Sequence, residues 1–235
     1  MREILLSGAK RLGIELGDTA LGQFETYARV LEEENKKINL TALTGEREIA
    51  ERHFLDSLAV LKAAGASING ARVIDVGSGA GFPGVPMKLV EPSISLTALD
   101  STEKRVFFLR KVYEILGLIS AEAIIARAEE LSRLPGHREK YDLAVSRAVA
   151  RLNVLAELCL PFVRVGGYFL AMKTASSEEE IMEAENAINT LGGELGEFFD
   201  YEIMGAVHRI VRIKKVKSTS DKYPRRFAKI QKQPL

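Results

Sequence analysis

The sequence predicts a parallel α/β sheet with helices on both faces, preceded by a helical N-terminal extension. Three observations predict it. From residue 72 onward, short β-rich runs alternate with helical patterns, the signature of strand–helix–strand units. Polar residues and glycines gather where those runs end: Asp75 and Gly77, Asp100, Ala128 and Glu129, and Arg147. The first seventy residues instead carry apolar positions three and four apart.

In chain order, Asp18 is the expected N-cap of a helix whose apolar face holds Leu21, Phe24, Tyr27, Ala28, Val30 and Leu31. A second amphipathic helix is expected from Glu46 to Ala64, with Ile49, Phe54, Leu58 and Leu61 on one face. Strands follow at Arg72–Val76, Ser95–Asp100, Ala121–Ala126, Tyr141–Ser146 and Gly167–Lys173. Between them lie a helix from Pro83, one at Glu103–Leu116, a short one near Glu129 and one at Leu152–Phe162. An acidic helix, Glu178–Leu191, leads to two longer strands, Glu194–Met204 and Val207–Lys214, turned at Gly205-Ala206. The division is 1–68 helical extension, 69–216 sheet domain, and 217–235 basic tail.

The 235 residues are 46% hydrophobic and 28% charged, which excludes fibrous, low-complexity and disordered classes. The single cysteine, Cys159, excludes a disulfide framework and a cysteine zinc site, and no metal is expected. The apolar run from Leu152 to Val163 is too short to span a bilayer, so no membrane partner is expected and the reading is a cytoplasmic monomer. Net charge is +1, but ten of the 33 basic residues and one of the 32 acidic ones lie in 208–235. That end carries +9 against −8 for the rest, which hints at a polyanion partner.

Val73-Ile-Asp-Val-Gly77-Ser-Gly79-Ala-Gly81-Phe-Pro-Gly84 reads as strand, glycine turn and helix start. Two ligands compete for it. Gly79, Gly81 and Gly84 fit a dinucleotide fingerprint, with Asp100 about twenty residues on. A turn beginning at Gly77, with Asp75 at the strand end, would repel a pyrophosphate and favour a cationic sulfonium ligand. The second register resembles the first motif of S-adenosylmethionine-dependent methyltransferases. Asp100 would then accept from both ribose hydroxyls, and Ala128-Glu129 would meet the adenine edge.

Further strings make the resemblance specific. They are Lys37-Ile-Asn39-Leu-Thr41, Arg52-His53-Phe-Leu-Asp56-Ser57, Leu99-Asp100-Ser101 with Lys104-Arg105 (expected near the cleft's mouth), Arg127-Ala-Glu129, Ser146-Arg-Ala-Val-Ala-Arg151 and Ala171-Met-Lys173. With the glycine loop, the chain resembles the bacterial glucose-inhibited division protein B family, guanine N7-methyltransferases of small-subunit (16S) ribosomal RNA. That resemblance implies a class I methyltransferase: a Rossmann-like, seven-stranded, mostly parallel sheet with a C-terminal antiparallel hairpin. It implies S-adenosylmethionine contacts at Gly77, Phe82, Asp100, Ser101, Thr102, Ala128, Glu129 and Arg147, with Gly79 and Gly81 shaping the loop. The implied partner is the small ribosomal subunit.

Acceptor chemistry agrees with that reading. Cys159 sits mid-helix, not as a nucleophile, and Ser146-Arg147-Ala148-Val149 replaces the polar-Pro-Pro-aromatic turn of exocyclic-amine enzymes. Guanine N7 has a lone pair and needs no general base, only alignment. Arg147 is the catalytic candidate; Arg151, one helical turn on, and Lys173 are RNA-side candidates, as are Asn39, His53, Asp56 and Ser57. His53 and Asp56 stand three apart, a spacing at which they pair on a helix. His137 and His208 show no partner logic. The alternatives are a non-catalytic RNA-binding assembly factor, a nicotinamide-dependent oxidoreductase and a small-molecule methyltransferase.

Overall fold

The computed structural model describes residues 1–147 and 150–235; Ala148 and Val149, inside the Ser146–Arg151 motif, lie outside the described residues. Helices α1 (Arg2–Arg11) and α2 (Asp18–Ile38) come first. Asp18 is the first helical residue rather than the cap, which is Gly17. The helix expected over Glu46–Ala64 is in three parts: α3 (Glu46–Glu48), a π-helical segment (Ile49–Leu55) and α4 (Asp56–Ala64). Such wide turns re-aim side chains and gather at functional sites.

The remaining elements alternate as expected: β1 (Arg72–Val76), α5 (Gly84–Val90), β2 (Ser95–Asp100), α6 (Glu103–Leu116), β3 (Ala121–Ile125), α7 (Ala128–Leu131), β4 (Tyr141–Arg147) and α8 (Leu152–Cys159). Then come β5 (Val163–Thr174), α9 (Glu178–Thr190), β6 (Gly193–Ile203), β7 (Ala206–Lys215) and α10 (Phe227–Lys232). Pro161 turns the end of the expected Leu152–Phe162 helix into a 3₁₀ turn, Leu160–Phe162. The strands form one seven-stranded sheet in the order β3-β2-β1-β4-β5-β7-β6. The first five strands are parallel, and β7 runs antiparallel to both β5 and β6.

Alternation along the strands feeds two apolar cores. Val73, Leu96, Ala98, Leu143 and Val145 face α1, α2, α4, α5 and α6; Ile74, Val76, Leu99 and Ala144 face α8, α9 and α10. The N-terminal helices therefore share a core with the sheet. Tyr27, Phe54 and Phe82 stack across that junction, and the Tyr27 hydroxyl donates to the Ala80 carbonyl in the glycine loop.

The last residues are packed against the domain. Arg225 donates from Nε and Nη2 to the fully buried Glu157 carboxylate at 2.6–3.1 Å, and Ile230 is buried against α8. Arg138 donates to the Thr219, Ser220 and Tyr223 carbonyls, and Arg133 donates to those of Asp221, Lys222 and Pro224. No helix of the described residues is long and apolar enough to cross a membrane.

Candidate active site

Strand order reverses between β1 and β4, where doubly wound sheets bind ligands beyond their carboxyl ends. A cavity of about 460 Å³ opens there. Ser146 Oγ ties the two strands by donating to the Val76 carbonyl at 2.8 Å.

Along the β1–β3 side the cavity is lined by Gly77, Ser78, Gly79, Asp100, Ser101, Ala128 and Glu129. Gly77 and Gly79 hold φ of 74° and 59°, a region that favours glycine. Among the described residues a Cβ on Gly79 would meet only the Gly77 carbonyl, at 3.9 Å, so they leave space beside the turn open. Asp100, buried at the end of β2, accepts from Gly79 N–H (3.0 Å), Thr102 N–H (2.8 Å) and Arg105 Nη1 (3.3 Å). A carboxylate offers about four acceptor positions, so Asp100 is oriented by backbone and keeps capacity for one more donor.

Asp75 behaves differently from expectation. It does not line the cavity: fully buried behind the loop, its Oδ2 accepts from Ser78 Oγ (2.7 Å) and Gly84 N–H (2.9 Å). Burial raises its pKa to about 6, partly offset by those two bonds and by Arg147. This arrangement also decides between the two glycine registers. The Gly84 N–H at the start of α5 is taken by Asp75, that of Val85 goes to the Gly81 carbonyl, and Pro86 has none. A pyrophosphate would find no free N–H there, so the nicotinamide alternative loses its anchor. Gly81 packs inward, its Cβ position lying 2.5 Å from the Tyr27 hydroxyl, and Thr102 caps α6; neither lines the cavity.

The opposite side is lined by Leu40, Thr41, His53, Phe82 and Arg147. Arg147, at the end of β4, donates from Nη1 to Asp56 Oδ2 (3.1 Å) and to the Arg52 carbonyl (3.0 Å). Its Nη2 donates to His53 Nδ1 (3.0 Å), and its guanidinium lies 4.9 Å from the Phe82 ring centroid. His53 stacks on Phe82 at 4.3 Å. Burial and the Arg147 charge lower the His53 pKa to about 3, so the ring is neutral.

Asp56 is the buried anchor of this side. Its Oδ1 accepts from the Tyr201 hydroxyl (2.7 Å) and lies 3.3 Å from His208 Nδ1. Burial alone would raise its pKa; the His208 bond, the Arg147 charge and the Tyr201 bond together hold it below the usual carboxylate value. The same bond raises the pKa of His208. His53 and Asp56 thus do not pair with each other; each bonds Arg147 instead.

A family model described as rRNA small subunit methyltransferase G matches residues 20–201. The ribosomal RNA small subunit methyltransferase G of Pelotomaculum thermopropionicum is 48% identical over 237 residues, spanning 100% of this chain and 99% of that protein. Its namesake in Alkaliphilus oremlandii is 46% identical over the same shares. The chain belongs to this family. A solved S-adenosylmethionine-dependent methyltransferase from Aquifex aeolicus superposes with a TM-score of 0.53 at 20% identity, covering 72% of this chain and 93% of that one, and so shares the fold.

Within this member of the methyltransferase G family, several expected RNA contacts are engaged elsewhere. Arg151 caps α8 and pairs with Glu183; it shares no helix face with Arg147, which ends a strand. Lys173 Nζ is satisfied by the Ala150 carbonyl (2.7 Å) and Glu180 (2.6 Å). Ser57 donates to the His53 carbonyl inside the helix, and Asn39 is an exposed left-handed cap of α2. None of the four lines the cavity.

One aromatic lining residue was not read as part of the site from the sequence. Phe227, from α10, reaches the cavity with the Arg127 guanidinium 5.5 Å from its ring centroid. Thr41, from the Lys37–Thr41 string, and Arg105, expected near the cleft's mouth, also line it. His208 and His137 also have partners: Asp56, and the Tyr141 hydroxyl at 2.7 Å.

Proposed function

We propose that this protein transfers a methyl group from S-adenosylmethionine to N7 of one guanine in small-subunit ribosomal RNA, acting in the cytoplasm as a monomer. The observation that carries this is the cavity at the β1–β4 switch, built around an oriented Asp100 in a chain 48% identical to a ribosomal RNA small subunit methyltransferase G.

The donor set fits the cofactor. Asp100 would accept from ribose hydroxyls, with Arg105 yielding its long 3.3 Å bond. Ala128, Glu129 and Phe227 would surround adenine, and the open turn at Gly77 and Gly79 would admit the aminoacyl chain. The bound cofactor supplies an electrophilic methyl carbon on a sulfonium. The protein's task is then alignment and exclusion of water. His53 is no base: its Nδ1 is occupied by Arg147 and its pKa is about 3, which matches an acceptor that needs none. Asp56 neutralises Arg147, so this side does not oppose the cationic product ring. Three of the five Arg147 N–H donors are engaged among the described residues, leaving two for substrate.

The target base must be unstacked, since duplex RNA hides N7 in a narrow groove. Methyl-labelled S-adenosylmethionine, offered with unmethylated small subunits, free ribosomal RNA and transfer RNA, tests the reading. Label recovered as N7-methylguanosine from ribosomal substrate alone is expected; label on another base would overturn the acceptor. Asp100→Ala should weaken S-adenosylhomocysteine binding about a hundredfold, the worth of one or two bonds to a charged acceptor. Unchanged affinity would overturn the ribose assignment.

A further inference from the structure

We infer that the Thr41 hydroxyl reads the target base by donating its proton to guanine O6, an assignment that rests on the methyl-transfer reading above. The argument is one of hydrogen-bond direction. A guanidinium only donates, and Arg147 Nη2 faces His53 Nδ1 at 3.0 Å, so Nδ1 must accept and the ring proton sits on Nε2. The opposite tautomer, or a doubly protonated ring, would set two donors face to face. His53 Nε2 lies 2.8 Å from Thr41 Oγ1, which therefore accepts that proton. Leu43 N–H donates to the same oxygen at 3.1 Å.

A hydroxyl oxygen has two lone pairs, and both are now occupied. Its own proton has no acceptor among the described residues. Nor can the residue easily turn away. Asn35 clamps its backbone, Oδ1 accepting from Thr41 N–H at 2.8 Å and Nδ2 donating to the Thr41 carbonyl at 2.9 Å. Thr41 lines the cavity on the side of His53, Phe82 and Arg147 rather than that of Asp100 and Glu129. The network so presents a fixed group that can only donate.

The edge of guanine that carries N7 also carries O6, and both are acceptors; adenine carries N7 beside an N6 amine, a donor. A donor-only hydroxyl therefore pairs with guanine and opposes adenine. Bonding O6 also holds the ring while N7 stays free for in-line attack on the methyl carbon.

The test uses the full-length chain, Thr41→Val and Thr41→Ser, with small subunits reconstituted to carry guanine or 2-aminopurine at the target position. The analogue keeps N7 but has hydrogen at C6. Wild type and Thr41→Ser should prefer guanine by about tenfold or more in kcat/KM. Thr41→Val should lose a similar factor on guanine and show no preference, with S-adenosylhomocysteine affinity by calorimetry within about twofold of wild type. A purely structural role would lower the rate yet leave the guanine preference intact, and that result overturns the assignment. So does a loss of S-adenosylhomocysteine affinity matching the loss of rate, which would place the hydroxyl on the cofactor. Failure of wild type to label any ribosomal RNA would instead sink the methyl-transfer reading itself.

Discussion

Along the β1–β3 side of the cavity, each polar group follows its own strand: Gly77 after β1, Asp100 at the end of β2, Glu129 just beyond β3. Along the facing side, one strand residue, Arg147, is held by Arg52, His53 and Asp56 from the N-terminal segment, and Asp56 in turn by Tyr201 and His208 from the C-terminal hairpin. The first side is set by local chain geometry. The second exists only once three distant segments have packed. The two should therefore fail differently: on the proposed reading, damage to the first weakens cofactor binding, whereas damage to the second loosens the fold and the proposed substrate wall together.

The largest effect that separates them is Arg147→Met. Removing the cation leaves the Asp56 carboxylate buried with only His208 and Tyr201, and breaking a buried pair costs about 3 kcal/mol. Urea unfolding should show that loss, and methyl transfer should fall more than S-adenosylhomocysteine affinity does. A fully stable, inactive variant would show that Arg147 serves the substrate alone and that the packed network is not its main role.

Asp75→Asn probes the scaffold behind the first side. The native Asp75 pKa, about 6, lies above the ordinary 3.8, so the folded state binds more protons than the unfolded one between those values. Wild-type stability should fall as pH rises from about 4 to 6, and stay reduced above. Asparagine does not titrate, so its stability relative to wild type should climb across that window by on the order of 2 kcal/mol. Parallel unfolding curves at pH 4.5 and 7 would mean that Asp75 is not buried as a strained carboxylate.

The same contrast explains what was legible. The parallel order, the helix from Glu103 to Leu116 and the Asp100 position follow from strand–helix alternation, which a linear pattern records. The Arg147–Asp56 pair, 91 residues apart, and the Tyr201–Asp56 bond, 145 apart, leave no periodic trace. The π-helical turn hid this network as well. Ordinary helical spacing allowed a His53–Asp56 pair, whereas both bond Arg147, from a strand far along the chain. Phe227 was missed because its place depends on Arg225 gripping Glu157, a contact 68 residues long. The +9 end was legible as charge but not as structure: part of that charge, in the buried Lys215 and the half-buried Arg225, is paired within the domain.

Phe227→Ala sharpens the comparison at smaller amplitude. It removes an aromatic surface that a C-terminal helix lends to the otherwise local first side. S-adenosylhomocysteine should bind about tenfold more weakly, the worth of one stacked ring. Glu157→Gln, which weakens the Arg225 anchor, should reproduce part of that loss without touching the cavity. Equal affinities in all three proteins would show that α10 merely covers the cleft.

Arg151→Ala should do least. Arg151 sits near Arg147 in sequence, yet it caps α8 and pairs with Glu183 at an exposed position, where such pairs contribute about 0–1 kcal/mol. Stability should shift by less than about 0.5 kcal/mol and cofactor affinity not at all. What remains is RNA. If methylation of intact subunits stays within about twofold, the proposed substrate wall ends at Arg147, and four residues of sequence separate a half-buried structural cation from a solvated one. A drop confined to KM for the subunit, erased by added salt, would extend that wall onto the surface as a phosphate contact.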